Sequence, residues 1–246
     1  MAATWLIIPT YNEADNVEPF VRAALPELAA AGGSAHRLLI VDDSSPDGTG
    51  AIADRLAAEL EPVEVLHRAA KDGLGRAYLA GFDRALRSGA GLLMEMDCDF
   101  SHDPSDIPRL LEAARDADLV LGSRYVRGGS VVNWGLLRRL LSRGGSWYAR
   151  TLLGVEVRDL TDGFKCFRRE VLERIDLAGV RADGYGFQVE LTYRALVAGF
   201  RVHEVPIVFR ERRAGASKMS ARIALEAVWK VPALRLRGAR TRAARP

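Results

Sequence analysis

At 246 residues and 26.9 kDa, with 48% hydrophobic and 27% charged residues, the chain has the size of one large or two small globular domains. That composition excludes a disordered chain, and no apolar run approaches the roughly 18–20 residues that span a bilayer. The net charge of +3 hides a division: residues 1–120 carry 21 acidic against 10 basic side chains, and residues 121–246 carry 11 against 25. Such asymmetry points to an anionic partner for the second half: nucleic acid, phosphate or a membrane surface. The apolar stretch Thr4–Ile8 runs at once into Pro9 and is too short for a signal peptide. Two cysteines, Cys98 and Cys166, cannot build a disulfide framework, so a reducing cytosol is the expected compartment.

Five short apolar runs punctuate the first 125 residues: Trp5–Ile8, Leu38–Val41, Val63–Leu66, Leu92–Met96 and Leu119–Leu121. Helical patterns separate them, for example Ile52, Leu56 and Leu60 at a spacing of four behind the polar start Asp47-Gly48-Thr49. Near-continuously apolar strands alternating with helices predict an α/β fold, a mainly parallel sheet with helices on both faces. Ligands of such sheets gather beyond the carboxyl ends of the strands. Each run is followed there by polar residues: Pro9-Thr10-Tyr11-Asn12-Glu13, then Asp42 to Thr49, then Lys71-Asp72-Gly73-Leu74-Gly75, then Asp97 to Pro104, then Gly122-Ser123-Arg124-Tyr125. Beyond 126 the pattern predicts a loop at Gly128-Gly129, an apolar-basic segment at 131–143 and a turn at Thr161–Lys165. A helix over 187–198, a strand over Val202–Phe209 and an amphipathic helix over 221–236 with a basic tail follow. No repeat or linker divides the chain, and a single domain is expected.

Asp97-Cys98-Asp99 places two carboxylates at the end of an apolar strand. Side chains two apart leave the same face, roughly 6–7 Å along the chain. So placed, they can share one divalent cation, and hard oxygen donors favour Mg²⁺ or Mn²⁺, with Ser101 or His102 orienting the surrounding shell. In Asp42-Asp43-Ser44-Ser45-Pro46-Asp47-Gly48-Thr49, helix capping accounts for Ser45, Asp47 or Thr49 but not for two adjacent carboxylates after a buried strand. A carboxylate there can accept hydrogen bonds from a nucleobase N–H. Gly73-Leu74-Gly75 lacks the third glycine of a dinucleotide fingerprint and follows the third run rather than the first, which excludes a nicotinamide cofactor; these glycines let backbone approach a sugar or phosphate. No Walker A sequence is present, and the four histidines form no Ser/His/Asp pattern.

Taken in order, these motifs resemble family 2 glycosyltransferases of the GT-A (Rossmann-like) fold, and within them the polyprenol (dolichol) phosphate mannosyltransferases. The resemblance runs over about residues 4–220 and includes Thr161-Asp162-Gly163-Phe164-Lys165 and the stretch from Arg212 to Met219. It implies inverting transfer of mannose from GDP-mannose to a polyprenyl monophosphate. On that resemblance Pro9, Tyr11, Glu13, Val41 and Asp43 hold the guanosine, and Asp97, Cys98 (through its backbone) and Asp99 meet the diphosphate and its metal. Asp99, Ser101 and Asp97 are the implied metal ligands, with Mg²⁺ or Mn²⁺ as cofactor, and Arg124, Arg212 and Lys218 neutralise phosphates. A phosphomonoester acceptor has a second pKa of about 6, so its attacking oxygen needs no strong general base.

In segment 131–143, Arg138 and Ser142 lie four apart, on one face of a helix, with Trp134 one turn earlier. This matches the family's lipid-phosphate site, to which Arg124 is added. Trp147 and Tyr148 are either interfacial anchors or core aromatics. No acidic residue follows Glu226, whereas Lys230, Arg235, Arg237, Arg240, Arg242 and Arg245 do. The expected division is therefore a GT-A domain over 1–220 and an amphipathic basic helix and tail over 221–246. Such a helix lies on an anionic membrane surface at about 1 kcal/mol per basic residue. The expected location is the cytoplasmic face of the membrane, peripherally, with a membrane-anchoring protein as a further partner. The alternatives are a sister enzyme using UDP-glucose or UDP-GlcNAc, and a nucleotidyltransferase, which would need a Gly-rich basic loop after the first strand. Nucleic acid is not an expected partner: aromatic residues make up 7%, and the acidic half would repel it.

Overall fold

The structure, a computed structural model, describes residues 3–33, 35–180, 184–212 and 231–236. All five apolar runs are strands: β1 (Ala3–Thr10), β2 (His36–Asp42), β3 (Val63–His67), β4 (Ala90–Glu95) and β5 (Leu119–Ser123). Helices α1 (Ala14–Gly32), α2 (Thr49–Glu59), α3 (Leu74–Arg87) and α4 (Ile107–Ala113) connect them. The main sheet has seven strands in the order β3-β2-β1-β4-β7-β5-β8, where β7 is Lys165–Arg168 and β8 is Val202–Pro206. All its pairings are parallel except those of β7, which runs antiparallel between β4 and β5. The chain winds outward from β1 to β3, then returns to β1's other side as β4. The crevice at that reversal opens beyond the carboxyl ends of β1, β2 and β4.

Alternation within the strands sends side chains to two cores. Leu6 and Ile8 of β1 join Val17, Phe20 and Leu28 of α1 on one face. Trp5 and Ile7 join Tyr78 and Phe82 of α3 and Phe187 of α7 (Gly184–Val197) on the other. With both faces covered, each strand is apolar almost throughout, as the sequence predicts. A third cluster, including Leu121, Ala149, Leu160 and Tyr193, lies under α5 (Leu136–Leu153). A short helix, α6 (Arg169–Arg174), follows β7 directly.

Two expectations are corrected. The predicted strand over Val202–Phe209 is two: β8 ends at Pro206, and β9 (Val208–Phe209) pairs with β6 (Ser130–Val131) in a separate two-stranded sheet. Ile207 is the transfer point, its N–H donating to Ser123 O and its carbonyl accepting from Ser130 N–H, both at 3.0 Å. The segment at 131–143 becomes helical only from Leu136, so Trp134 precedes α5 rather than lying one turn back along it. Of the helix expected over 221–236, residues 231–236 are helical, and 221–230 lie outside the described residues. Val231 and Leu234 are buried in the third cluster, and the Arg235 guanidinium donates to Leu152 O. That stretch is seated on the domain.

The approach of α3 to the sheet depends on Gly81. A Cβ there would stand 2.5 Å from Ile7 Cγ2 and 3.2 Å from Val41 Cγ2, both on β-branched side chains with little freedom to turn away. Gly81→Ala is expected to cost about 1–3 kcal/mol by overpacking, despite alanine's better helix propensity. The urea midpoint of the variant checks it; an unchanged or raised midpoint would show that α3 can lift off without loss.

Candidate active site

Three loops at the crevice each contain a non-glycine residue in the left-handed region: Asn12 (φ 56°) after β1, Ser44 (φ 57°) after β2 and Phe100 (φ 60°) after β4. Asparagine takes this conformation readily, whereas phenylalanine does so only when its surroundings compel it. Phe100 is held edge-on by Phe20, with ring centroids 5.3 Å apart. Its turn brings the Ser101 N–H back to Asp99 Oδ1 at 2.9 Å, fixing that carboxylate. The loops are also stitched together: Asn12 N–H donates to Ser45 Oγ, Glu13 N–H to Thr49 Oγ1, and Ala14 N–H to Asp47 Oδ2.

They enclose a cavity of about 270 Å³. Of the residues expected at the nucleotide, Pro9, Tyr11, Glu13 and Asp43 line it. Asp43 Oδ1 accepts from Arg68 Nη1 at 2.5 Å, and burial raises its pKa despite that partner. Its neighbour Asp42 faces inward and binds the loop, accepting from the Ser45 hydroxyl at 2.5 Å. The two adjacent carboxylates thus divide the work, one bracing the turn and one facing the cavity. Val41 does not line the cavity: its side chain is fully buried in the sheet–α3 core. Residues 9 and 41 are register partners on β1 and β2, but of the two only Pro9 reaches the cavity. Lys71, from the loop after β3, lies with Nζ 4.0 Å from the Tyr11 ring centroid. It was legible only as part of a rim loop.

At the centre, Asp97, Cys98, Asp99 and Ser101 all line the cavity. Asp97 Oδ1 accepts from the Tyr78 hydroxyl at 3.3 Å, and burial, reinforced by Asp99, raises its pKa to about 6. Asp99 Oδ2 is 3.3 Å from Arg212 Nη2. Ser101 Oγ is buried and has no hydrogen-bond partner among the described residues. Two carboxylates and an orphaned hydroxyl form an all-oxygen donor set, which fits Mg²⁺ or Mn²⁺. Among the described residues no three His, Cys, Asp or Glu side chains group to hold a metal.

The opposite wall is a buried charge lattice. Arg124 makes a two-pronged pair with Asp159 (Nε to Oδ2 and Nη2 to Oδ1, both 2.7 Å) and adds a bond to Thr161 Oγ1 at 2.9 Å. Asp162 lies 3.4 Å from Arg124 Nε, and its Oδ1 is 3.2 Å from His102 Nε2. Burial disfavours the His102 imidazolium, but Asp162 and its neighbours outweigh that and raise its pKa. Arg124 was expected to neutralise phosphates; it lines the cavity, and its guanidinium is paired there with Asp159. His102 belongs to this lattice as a structural partner. Asp162 and Gly163, read from sequence as a turn, line the cavity, as does Gln188 of α7, which carries no motif at all.

Of the residues expected at the acceptor phosphate, Arg138 reaches the cavity, its guanidinium 4.1 Å from the Trp134 ring centroid and bonded to Glu211 at 2.6 and 2.7 Å. Ser142 does not line it; its hydroxyl accepts from the Tyr125 hydroxyl at 2.6 Å. Arg212 lines the cavity, and Lys218 lies outside the described residues. Trp147 is exposed, which sets aside the reading of it as a core aromatic, and Tyr148 packs partly buried against the third cluster.

A carboxylate-bearing rim thus stands at the switch point of a mainly parallel sheet, with Arg124, Arg138 and Arg212 also lining the cavity. Residues 5–176 match the family model "Glycosyl transferase family 2", and the chain belongs to that family. It is 51% identical over 245 residues to the polyprenol monophosphomannose synthase of Mycolicibacterium smegmatis, covering 98% of this chain and 89% of the relative. It is 50% identical over 225 residues to the undecaprenyl-phosphate mannosyltransferase of Micrococcus luteus, covering 90% and 89%. Among solved structures it resembles glucosyl-3-phosphoglycerate synthase of Mycobacterium tuberculosis, crystallised with Mn²⁺ and UDP-glucose. The TM-score is 0.68 at 18% identity, over 95% of this chain and 79% of that one, and the shared feature is the fold.

The Arg124–Asp159 pair can be tested on its own. Asp159→Ala strands a buried guanidinium and is expected to destabilise the domain by about 3–5 kcal/mol. Chemical denaturation measures this, and a loss below about 1 kcal/mol would place the pair among surface bridges.

Proposed function

We propose that the chain catalyses inverting transfer of mannose from GDP-mannose to a polyprenyl monophosphate at a membrane surface. The observation that carries the reading is the near-full-length identity of about half to two proteins named for mannosyl transfer to polyprenyl phosphates. The geometry supports it. Asp43, anchored by Arg68, offers a carboxylate to the N–H groups of a base, and Tyr11 offers a ring face beside it. Asp99, Asp97 and Ser101 would hold Mg²⁺ or Mn²⁺. The bound ion supplies positive charge against the departing diphosphate. Arg212, now on Asp99, is close enough to turn to a phosphate as negative charge develops. Arg138, beside the apolar ring of Trp134, suits an acceptor phosphate carried on a hydrocarbon chain. As a dianion that phosphate attacks without losing a proton, and a single displacement inverts the anomeric carbon.

A donor panel of GDP-mannose, UDP-glucose and UDP-GlcNAc with a polyprenyl phosphate and Mg²⁺ or Mn²⁺ tests this reading. GDP-mannose is expected to be turned over fastest, and Asp99→Ala to lower that turnover by more than 100-fold while leaving the unfolding midpoint in place. Preference for a UDP-sugar would overturn the donor assignment, and near-normal turnover by the variant would overturn the metal assignment.

The membrane location rests on α5. Leu136, Leu140, Leu141 and Trp147 are 77%, 68%, 67% and 63% exposed, and Arg139 and Arg143 lie among them. The same helix carries Arg138 at the cavity. An apolar, basic helix face next to the acceptor site suits an anionic leaflet. No helix among the described residues is long and apolar enough to cross a membrane. The buried free thiols of Cys98 and Cys166 accord with the cytoplasmic side. A membrane-anchoring protein is a further partner in this reading. The double variant Leu140→Glu/Leu141→Glu is expected to lose at least 10-fold in co-sedimentation with anionic vesicles while keeping its GDP affinity; unchanged sedimentation would remove α5 from the contact.

A further inference from the structure

Behind the cavity wall lies a buried trio. Glu95, the last residue of β4, and Lys165, the first of β7, are register partners across the antiparallel pair. Both are fully buried, with Lys165 Nζ 3.6 Å from Glu95 Oε1. The same ammonium donates to two oxygens of Gln188, the backbone carbonyl at 2.9 Å and the side-chain Oε1 at 2.5 Å. An ammonium has only donors, so Lys165 takes the oxygen of the carboxamide and leaves its NH₂ to face acceptors, Glu95 among them.

Gln188 is 3% exposed and lines the cavity, and its Nε2 is buried without a well-formed hydrogen bond among the described residues. The amide is also near enough to help Glu95 hold its charge, although burial still lifts that carboxyl to about 8. What lies in front of Nε2 is set by Gly163. A Cβ at that position would be 3.4 Å from Nε2 and 3.9 Å from each Asp97 oxygen. The glycine therefore keeps open a space flanked by an amide donor on one side and a carboxylate acceptor on the other.

A hydroxyl group, one donor and an acceptor on the same oxygen, suits that space. We infer that Gln188 is a sugar-contacting residue, its Nε2 donating to a hydroxyl of the transferred hexose whose proton is directed to Asp97, with Lys165 and Glu95 as positioning residues that fix the amide. The inference rests on the glycosyl-transfer reading of the site and adds the residue that senses the sugar rather than the nucleotide. A site built to hydrogen-bond a substrate hydroxyl rejects the analogue lacking it far more strongly than an apolar pocket rejects a missing methylene.

The experiment compares the wild-type enzyme and Gln188→Met on GDP, GDP-mannose and the 2-, 3-, 4- and 6-deoxy derivatives of GDP-mannose. Wild type is expected to lose ~10–100-fold in kcat/KM on one deoxy donor, and Gln188→Met to lose a similar factor on GDP-mannose while showing no further penalty with that same deoxy donor. GDP affinity should be equal in the two proteins, which also reports that the variant is folded. Equal use of every deoxy donor by the wild type would overturn the inference without any variant. So would a parallel loss of GDP and GDP-mannose binding in Gln188→Glu and Gln188→Met, since that describes a wall residue with no part in sugar contact. Failure of the underlying reading shows separately, as absent wild-type turnover of GDP-mannose; the same deoxy series on the sugar that is turned over then decides the role of Gln188.

Discussion

Negative charge buried at the ends of strands is the constraint around which this molecule is built. A carboxylate withdrawn from water is costly unless it is paired and hydrogen-bonded. Here Glu95, Asp43, Asp99, Asp159 and Asp162 are all buried within one region. Each has a cation: Lys165 for Glu95, Arg68 for Asp43, Arg212 for Asp99, Arg124 for Asp159, and Arg124 with His102 for Asp162. Asp97, held by the Tyr78 hydroxyl, has no ion pair among the described residues, and its pKa rises. A divalent cation in the proposed position would complete the pattern that the side chains begin.

The cations fall into two kinds by their accessibility. Arg124 and Lys165 are sealed in and locked by several bonds each, so they hold walls in place. Arg212, Arg138 and Arg68 keep 19%, 40% and 16% of their side chains exposed and have partners at the cavity edge. Moving Arg138 to a phosphate exchanges one half-solvated partner, Glu211, for another, at far less cost than uncovering Arg124, whereas Arg212 and Arg68 are paired with carboxylates that are themselves buried. The acidic first half and basic second half of the sequence are thus not two separate surfaces. They interlock at the cavity, with part of the second half's charge spent on keeping the first half's carboxylates folded.

Much of the fold was legible because burial on both faces leaves a strong signal: Trp5–Ile8 and Leu38–Val41 admit no polar residue, and the rim stretch follows four of the five runs without a gap. Where a stretch changes surroundings midway, pattern fails. Val202–Phe209 reads as one strand, but Pro206 offers no N–H to continue the ladder, and Ile207 hands the chain to a second sheet. At the site, spacing identified faces but not neighbours. Ser142 shares a helix face with Arg138, yet its hydroxyl accepts from Tyr125; Val41 lies two residues before Asp43, yet inside β2 it is covered by α3. Gln188 had no local signal, because what makes it distinctive is a lysine 23 residues earlier in the chain.

The direction of β7 explains the largest omission. In a parallel sheet, residues after each strand reach the ligand side, and a search along the sequence naturally follows that rule. Because β7 runs antiparallel between β4 and β5, the residues before it arrive at that rim instead. Asp159, Thr161, Asp162 and Gly163 therefore stand beside Asp97 and Arg124, although all four precede their strand. The same reversal sets Lys165, the first residue of β7, opposite Glu95, the last of β4, and so places an ammonium directly behind the cavity wall. Had β7 been parallel, its first residue would lie at the far end of the sheet, and neither the Arg124–Asp159 brace nor the Lys165–Gln188 contact could form where the carboxylates need them.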